Sequence, residues 1–343
     1  MNDNRTYGIE IEMVSKINDY ELSLIISPIL TAFGHSVETM GYGHNTDGQN
    51  YFRWSLKRDG SISPTQKFPH GIELVSPVLI GSEELNILQK VLEAMEPYVN
   101  VNRSCGLHVH HGVSASEPLK KMVNAWIDLE SQFFKILPES RQENNYCRKY
   151  TGNPYIVPVT GRVSLRRWHS RYIGNRYYSL NLESFWLRGT VEFRLHSATV
   201  EFEKIKNWVL ITQLFVDNSL EGKKVKEKTF QGLLNFLFNK ESKKTKRQVA
   251  LNLLYKGTTP EEMIQVLMDS FPGTTVEKAK TYFAGGIRRA KRNGYVIQKI
   301  GAITMAVRPD WAPESQPEAD AESLVKYIVE RYEHFGYDNR QVA

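Results

Sequence analysis

Four short segments of this chain obey one rule. GIEIE (8–12), GIELV (71–75), GLHVHHG (106–112) and GTVEFRLH (189–196) each alternate apolar residues with ionisable ones. In an extended chain, neighbouring side chains point to opposite faces, and residues two apart share a face at a spacing of roughly 6.5–7 Å. Glu10 and Glu12 therefore form one pair, and His108 and His110 another. Glu192, Arg194 and His196 form a triplet, and Glu73 stands between Ile72 and Leu74 in its own strand. A helix would scatter these residues around its axis. A chain with four such segments is expected to build a sheet with one apolar face and one ionisable face.

The segments between them read as helices and turns. Residues 19–34, 82–97, 115–137 and 202–219 have a helical period, with Ser82 as N-cap and Glu83 and Glu84 in the first turn of the second. The Asp59-Gly60 pair marks a turn, Ser76-Pro77 ends a strand, and the Gly- and Asn-rich residues 40–50 mark a loop. RYYSLNLES (176–184) reads as extended, and residues 139–175 give no clear pattern. The expectation is an α+β sheet domain over 1–222. Residues 245–255, 260–270 and 275–293 suggest three helices, with Pro260 in a first turn behind Thr258 or Thr259. A hairpin turning at Gly301 follows, so residues 223–308 have the outline of a winged-helix-like module. An acidic linker, 309–320, and a terminal helix over 321–334 complete the chain.

Composition narrows the functional classes. At 343 residues, two domains are expected and three are possible. No apolar run is long enough to span a bilayer, and the first residues have no signal-peptide character. A cytoplasmic location is expected, with no membrane partner. Two cysteines, Cys105 and Cys147, suit a reducing compartment and read as buried thiols. Charge is uneven. Residues 221–308 hold 18 Lys and Arg against 7 Asp and Glu, residues 309–343 hold 3 against 8, and the remainder is neutral. The basic stretch includes Arg288, Arg289, Lys291 and Arg292 at a helix C-terminus, where the macrodipole favours cations. It reads as a solvated face, as a surface for nucleic acid or an acidic protein, or as a lid or dimerisation element that the acidic tail could shield.

Each ionisable motif has a plain reading by itself. Glu10 and Glu12 could line a solvated edge, His108 and His110 could be packed and hydrogen-bonded, and Glu192–Arg194 could be a surface pair worth under about 1 kcal/mol. Together they read otherwise. A solvated face would use Lys, Ser and Thr, and lysine is absent from all four motifs. Carboxylates that face one another repel and rise in pKa unless a cation sits between them. Carboxylates with an imidazole suit Mg2+ or Mn2+, and the spacing of a zinc site is absent. Arg194 could aim a bidentate fork at an anion. Metal plus arginine is equipment for phosphoryl transfer. No Walker-type loop or GxGxxG accompanies them, and GYGHNTDGQN (41–50) is either a cover for phosphates or a plain surface loop.

GIEIE, DGSI followed by GIELVSP, CGLHVHHGV, RYYSLNL and GTVEFRLHSAT stand in the order found in the amidoligase family, which is similar to glutamate–cysteine ligase and glutamine synthetase. The resemblance covers about residues 5–220. It implies a curved, mostly antiparallel sheet of glutamine-synthetase-like type with helices on one face. It also implies an ATP-dependent ligase that joins a carboxylate substrate to an amine substrate through an acyl phosphate. By motif position, Glu10, Glu12, Glu73, His108 and Glu192 resemble the metal ligands, and Arg194 resembles the arginine on the γ-phosphate. Arg176, Tyr177 and Asn181 resemble the nucleotide- or substrate-contacting strand. His110, His196 and an acidic residue within 40–50 are candidates for the general base. Two alternatives stand beside the ligase: a nucleic-acid-binding protein with an inactive ligase-like domain, and a phosphotransferase of related fold.

Overall fold

The computed structural model describes residues 5–41, 52–114, 119–153, 155–159, 163–238, 250, 253, 259–270, 273–292, 296–300, 303–307 and 321–336. Two compact units divide the chain: residues 1–240 with 318–343, and residues 241–317.

The first unit is built on one open sheet. Its strands are β1 (Thr6–Ser15), β2 (Val37–Met40), β3 (Trp54–Arg58), β4 (His70–Val75), β5 (Leu79–Ile80), β6 (Val99–Asn100), β7 (Gly106–Gly112), β8 (Leu180–Asn181) and β9 (Thr190–Ser197). The order is β2-β3-β4-β1-β7-β9-β8, with β5 and β6 also paired to β1. Every pairing is antiparallel except β2 with β3. The helices are α1 (Asp19–Ala32), α2 (Glu83–Met95), α3 (Leu119–Phe134), α4 (Leu165–Tyr172), α5 (Glu183–Arg188), α6 (Phe202–Leu220), α7 (Phe230–Phe238) and the terminal α10 (Ala321–Gly336). Each ionisable motif thus lies on a strand, as the alternation requires.

Local chemistry sets the ends of these elements. Asn18 and Glu21 form a reciprocal capping box at the start of α1, at 2.9 and 3.0 Å. Gly189 ends α5 with φ 68°, a left-handed turn that an L side chain resists, and the chain reverses there into β9. Ser82 departs from expectation: it precedes α2 in a helical conformation and makes no capping bond. The backbone N–H of Ile80 instead donates to the Glu84 carboxylate. The unassigned stretch 139–175 holds a 3-10 turn (Glu139–Arg141) and α4, and in RYYSLNLES only the two residues of β8 are strand, while Glu183 and Ser184 open α5.

The apolar face of the sheet lies against helices. Ile9, Ile11, Met13, Ile72, Leu74, Leu107, Val109 and Phe193 are buried in one core with residues of α1, α2, α3 and α6. At its centre, Phe193 meets Trp126 and Phe215 edge-on, at 5.3 and 6.0 Å between ring centroids. Trp126 and Phe215 also pack on Phe133. Such pairs add about 0.5–1.5 kcal/mol each beyond the burial of their area. Among the described residues, no helix is long and apolar enough to cross a membrane.

The second unit contains α8 (Pro260–Ser270), α9 (Val276–Arg292) and a hairpin of β10 (Val296–Ile300) with β11 (Ile303–Val307). Thr259 and Glu262 cap α8 reciprocally, at 2.9 and 3.1 Å, with Pro260 in the first turn. Ala250, Met263, Leu267, Ala279 and Ala290 form its core. The expected first helix, 245–255, lies outside the described residues except for Ala250 and Leu253, and the loop over 40–50 lies outside them except for Met40 and Gly41. Two helices and a hairpin stand where expected, without establishing a winged helix.

Phe193→Ala is expected to cost about 3–5 kcal/mol. Urea unfolding checks this: the midpoint should fall while the unfolded baseline stays unchanged.

Candidate active site

Strand register assembles the charged face. Glu12 pairs with Glu73 across β1 and β4, and Lys57 of β3 pairs with the same Glu73. Glu10 pairs with His108 across β1 and β7. Gly8, His110, Glu192 and Asn181 form the next rung, running from β1 through β7 and β9 to β8. Residues up to 182 positions apart in sequence thereby become neighbours.

The side chains meet as closely as the register suggests. His108 Nδ1 lies 3.3 Å from Glu10 Oε2 and 3.8 Å from Glu192 Oε1, and its Nε2 lies 3.7 Å from Glu12 Oε1. His110 Nε2 lies 3.2 Å from Glu10 Oε1 and 3.9 Å from Glu192 Oε2, while its Nδ1 shares a 3.1 Å hydrogen bond with Thr190. Glu192 is ion-paired to Arg194 and accepts from Asn181 Nδ2 at 2.5 Å. The Arg194 Nε donates to the Tyr146 carbonyl at 3.3 Å. Glu12, His108, His110, Glu192 and Arg194 are all buried.

Burial and neighbours push these groups apart. Burial alone would raise the Glu10 carboxyl, but the His110 and His108 imidazoles outweigh it and hold it well below the usual carboxylate range. Burial likewise opposes ionisation of Glu192, and Arg194 and His110 reverse the effect. Glu73 goes the other way: burial and the facing Glu10 raise it well above the usual range, against Lys57. His110 is raised because Glu192 and Glu10 overcome its burial. Within the protein alone, His110, Arg194 and Lys57 supply counter-charge to an anionic cluster. Breaking such a buried pair by removing one partner costs about 3–5 kcal/mol.

Three groups of ligand-type atoms arise from this packing, each with its atoms within 4.8 Å of one another: Glu10, Glu73 and His108; Glu10, His110 and Glu192; and Glu12, Asp59 and Glu73. Glu10 and Glu73 each belong to two groups. His110 Nε2 is buried without a hydrogen-bond partner, although carboxylate oxygens flank it. Once it gives up its proton, that nitrogen completes with the two carboxylates a donor set that a hard or borderline divalent cation satisfies.

Most of the sequence candidates gather here. Glu10, Glu12, Glu73, His108, His110, Glu192, Arg194 and Asn181 lie in the cluster or touch it. Asn181 orients Glu192, and its Oδ1 accepts from Glu183 N at 2.8 Å, so both ends of the amide are engaged inside the protein. Tyr177 stands one layer out, edge-on to Tyr146, and Arg176 is exposed and stacks on Tyr177 at 5.3 Å.

His196 does not join the cluster, which corrects the expected triplet. Phe193 pairs with Val109 and His196 with Leu107, so β9 advances three residues where β7 advances two. This bulge breaks the period-two rule and turns His196 to the helix side, 4.8 Å from the Trp208 ring. The carbonyls at the bulge are taken by buried Arg141, whose Nη2 and Nε donate to Arg194 and Leu195 at 2.8 and 3.1 Å.

Other neighbours of the cluster escaped the sequence reading. Lys57 places its Nζ 3.9 Å from Glu73, so a lysine does enter the charged face, from a fifth strand. Asp59, read as a turn former, does cap its turn through Ser61 and also faces Glu12 and Glu73. Glu130 of α3 is wholly buried and accepts from Tyr150 N, Thr151 N, Thr151 Oγ1 and Ser179 Oγ, fixing the approach to β8. Gly106 is required by close approach. A Cβ there would lie 2.9 Å from His108 Nε2 and 3.3 Å from Glu12 Oε2, and its N–H donates to Glu12 at 2.6 Å.

Two predictions follow from this geometry. Gly106→Ala should keep the circular dichroism of the wild type while shifting the His108 imidazole resonances, because the new methyl displaces side-chain ends rather than backbone. Burial, reinforced by Arg331, lowers His196 to about 3. The folded imidazole thus stays neutral while the unfolded one protonates below about 6.5. Its stabilising contribution is complete above that pH and is lost as pH falls toward 3, at up to about 1.4 kcal/mol per pH unit. Denaturant unfolding at pH 6 and pH 5 should show His196→Gln losing less stability over that interval than the wild type.

None of the curated proteins matches the chain. A solved structure, the complex between prokaryotic ubiquitin-like protein Pup and its ligase PafA, aligns with 13% identity and a TM-score of 0.36. The alignment covers 98% of this chain, which spans 65% of the length of that one. The family model described as "Putative amidoligase enzyme" matches residues 3–216, well over half of the chain and all the strands of the charged sheet. The chain belongs to that amidoligase family.

Proposed function

We propose that this chain is an ATP-dependent carboxylate–amine ligase that forms an amide bond through an acyl phosphate. The observation that carries the reading is the convergence of Glu10, Glu12, Glu73 and Glu192 with two imidazoles and Arg194 on one sheet face. Membership of the amidoligase family supports it.

The chemistry requires what the face offers. A carboxylate is a poor electrophile, and phosphorylation gives its oxygen a leaving group. The substrate's carboxylate oxygen bonds to the γ-phosphorus of ATP as the bond to the ADP oxygen breaks. The amine nitrogen then bonds to the acyl carbon, phosphate leaves with its electron pair, and the amine proton passes to a base. The difficulty is electrostatic, since two anions must meet. Glu10, Glu12, Asp59, Glu73, His108, His110 and Glu192 would hold divalent metal, Mg2+ or Mn2+. Metal bound there would neutralise phosphate oxygens and polarise the phosphoryl group. Arg194 has five N–H donors in a rigid fork, and the structure directs Nη1 to Glu192 and Nε to the Tyr146 carbonyl. Its remaining donors suit a phosphate oxygen, so one guanidinium links the acidic cluster to the transferring group. His196, packed on Trp208, offers no base on the charged face.

The test is ADP release from ATP with Mg2+ and a mixture of amino acids and polyamines, with hydroxylamine added in a parallel reaction. The ligase reading expects ADP release and a trapped hydroxamate. Glu192→Gln should lower both by about 100-fold or more. ADP release with a stable phosphorylated product and no hydroxamate would instead identify a phosphotransferase.

A further inference from the structure

A second feature of the first unit lies outside the charged face. Val157, Pro158, Val163, Arg167, Trp168, Arg171 and Tyr172 line a surface cleft of about 280 Å³ between the segment Tyr155–Val159 and α4. Its floor is fixed from within: Trp168 is buried, and its Nε1 donates to the Val157 carbonyl at 2.8 Å. Its apolar lining is exposed in part, with Val157 43% and Val163 44% accessible. Contiguous exposed apolar residues beside arginine and aromatic side chains are the composition of a protein-binding surface.

The charges on the rim point the same way. Arg167 and Arg171 are exposed, one helical turn apart, and neither has a carboxylate partner among the described residues. Like charges at that spacing repel, so the helix carries them at a cost that an anionic ligand would relieve. Their spacing of roughly 5–6 Å at Cβ is also that of carboxylates one turn apart on a helix, and close to that of residues two apart on a strand. A surface cleft of this volume suits a side chain offered by a polypeptide.

The cleft is also connected to the charged sheet. Trp168 packs on Tyr150 at 6.3 Å, and the Tyr150 hydroxyl donates to the Leu180 carbonyl at 2.6 Å. Leu180 precedes Asn181, the residue that holds Glu192. Interior packing thus joins the floor of the cleft to β8.

We propose that this cleft docks an acidic polypeptide segment, with Arg167 and Arg171 pairing two of its carboxylates and Val157, Val163, Trp168 and Tyr172 receiving an apolar side chain between them. That the segment belongs to a substrate of the sheet site rests on the ligase reading. The binding does not.

The experiment is fluorescence polarisation with the full-length protein and a short fluorescein-labelled peptide in which glutamates flank a leucine. Saturable binding is expected for the wild type. The double variant Arg167→Glu, Arg171→Glu should weaken it by about tenfold or more, because each lost contact is charge-assisted. Val157→Asp should weaken it too, which separates the apolar pocket from simple attraction between charges. The variant Lys280→Glu, Arg288→Glu in α9 should bind as the wild type does, which excludes capture by the basic second unit. The proposal is overturned if the peptide does not bind, if the α4 double variant binds it normally, or if the α9 variant alone loses it. It is equally overturned if an oligothymidylate of matching charge binds as tightly with the same dependence on Arg167 and Arg171. Peptide binding without nucleotide turnover would sink the ligase reading and leave the docking site standing.

Discussion

Four buried or half-buried glutamates on one face of a sheet are an electrostatic problem, and the site is arranged around its solution. Facing carboxylates in a region poor in water cannot all ionise without counter-charge. The structure divides the burden. Glu10 and Glu192 are held ionised by imidazoles and Arg194, while Glu73, facing Glu10 with only Lys57 at 3.9 Å, is pushed toward its protonated form. Such an arrangement is expensive for a fold that gains nothing from it, since apolar residues of similar volume are often at least as stable. Its persistence across three strands argues for a ligand that completes it.

The opposite face makes this cost tolerable. Ile9, Ile11, Leu107, Val109 and Phe193 anchor the strands to an aromatic core in α3 and α6, so the register that brings the charges together is held from behind. A slip of one residue in any strand would exchange its two faces. The bulge in β9 is placed where this matters. It leaves Glu192 and Arg194 on the charged face and releases His196 to the core, with Arg141 taking the exposed carbonyls.

Much of this was legible in the amino-acid order because period two is a local property. Glu10, Glu12, Glu73, His108, His110, Glu192 and Arg194 announce their face within a few residues. His196 did not, because a bulge depends on the register with β7 and leaves no mark on the alternation itself. Lys57 and Asp59 were hidden for a different reason. Lys57 shows its relation to Glu73 only once β3 and β4 are paired, and Asp59 has an ordinary turn-forming role that conceals its second one. Asn181 sits in a strand of two residues, too short for any pattern, and its bond to Glu192 is a tertiary fact. Glu130, wholly buried in a helix, is visible only through the loop it holds.

If these carboxylates share a cation, Mn2+ binding followed by electron paramagnetic resonance will reveal it. Glu10 belongs to two of the three ligand groups. A shared cation requires saturable loss of the free Mn2+ signal with a rise in melting temperature, as for any ligand of the folded state. Glu10→Gln should weaken both by about tenfold or more. Equal Mn2+ binding by wild type and Glu10→Gln, or none by either at millimolar metal, would contradict it.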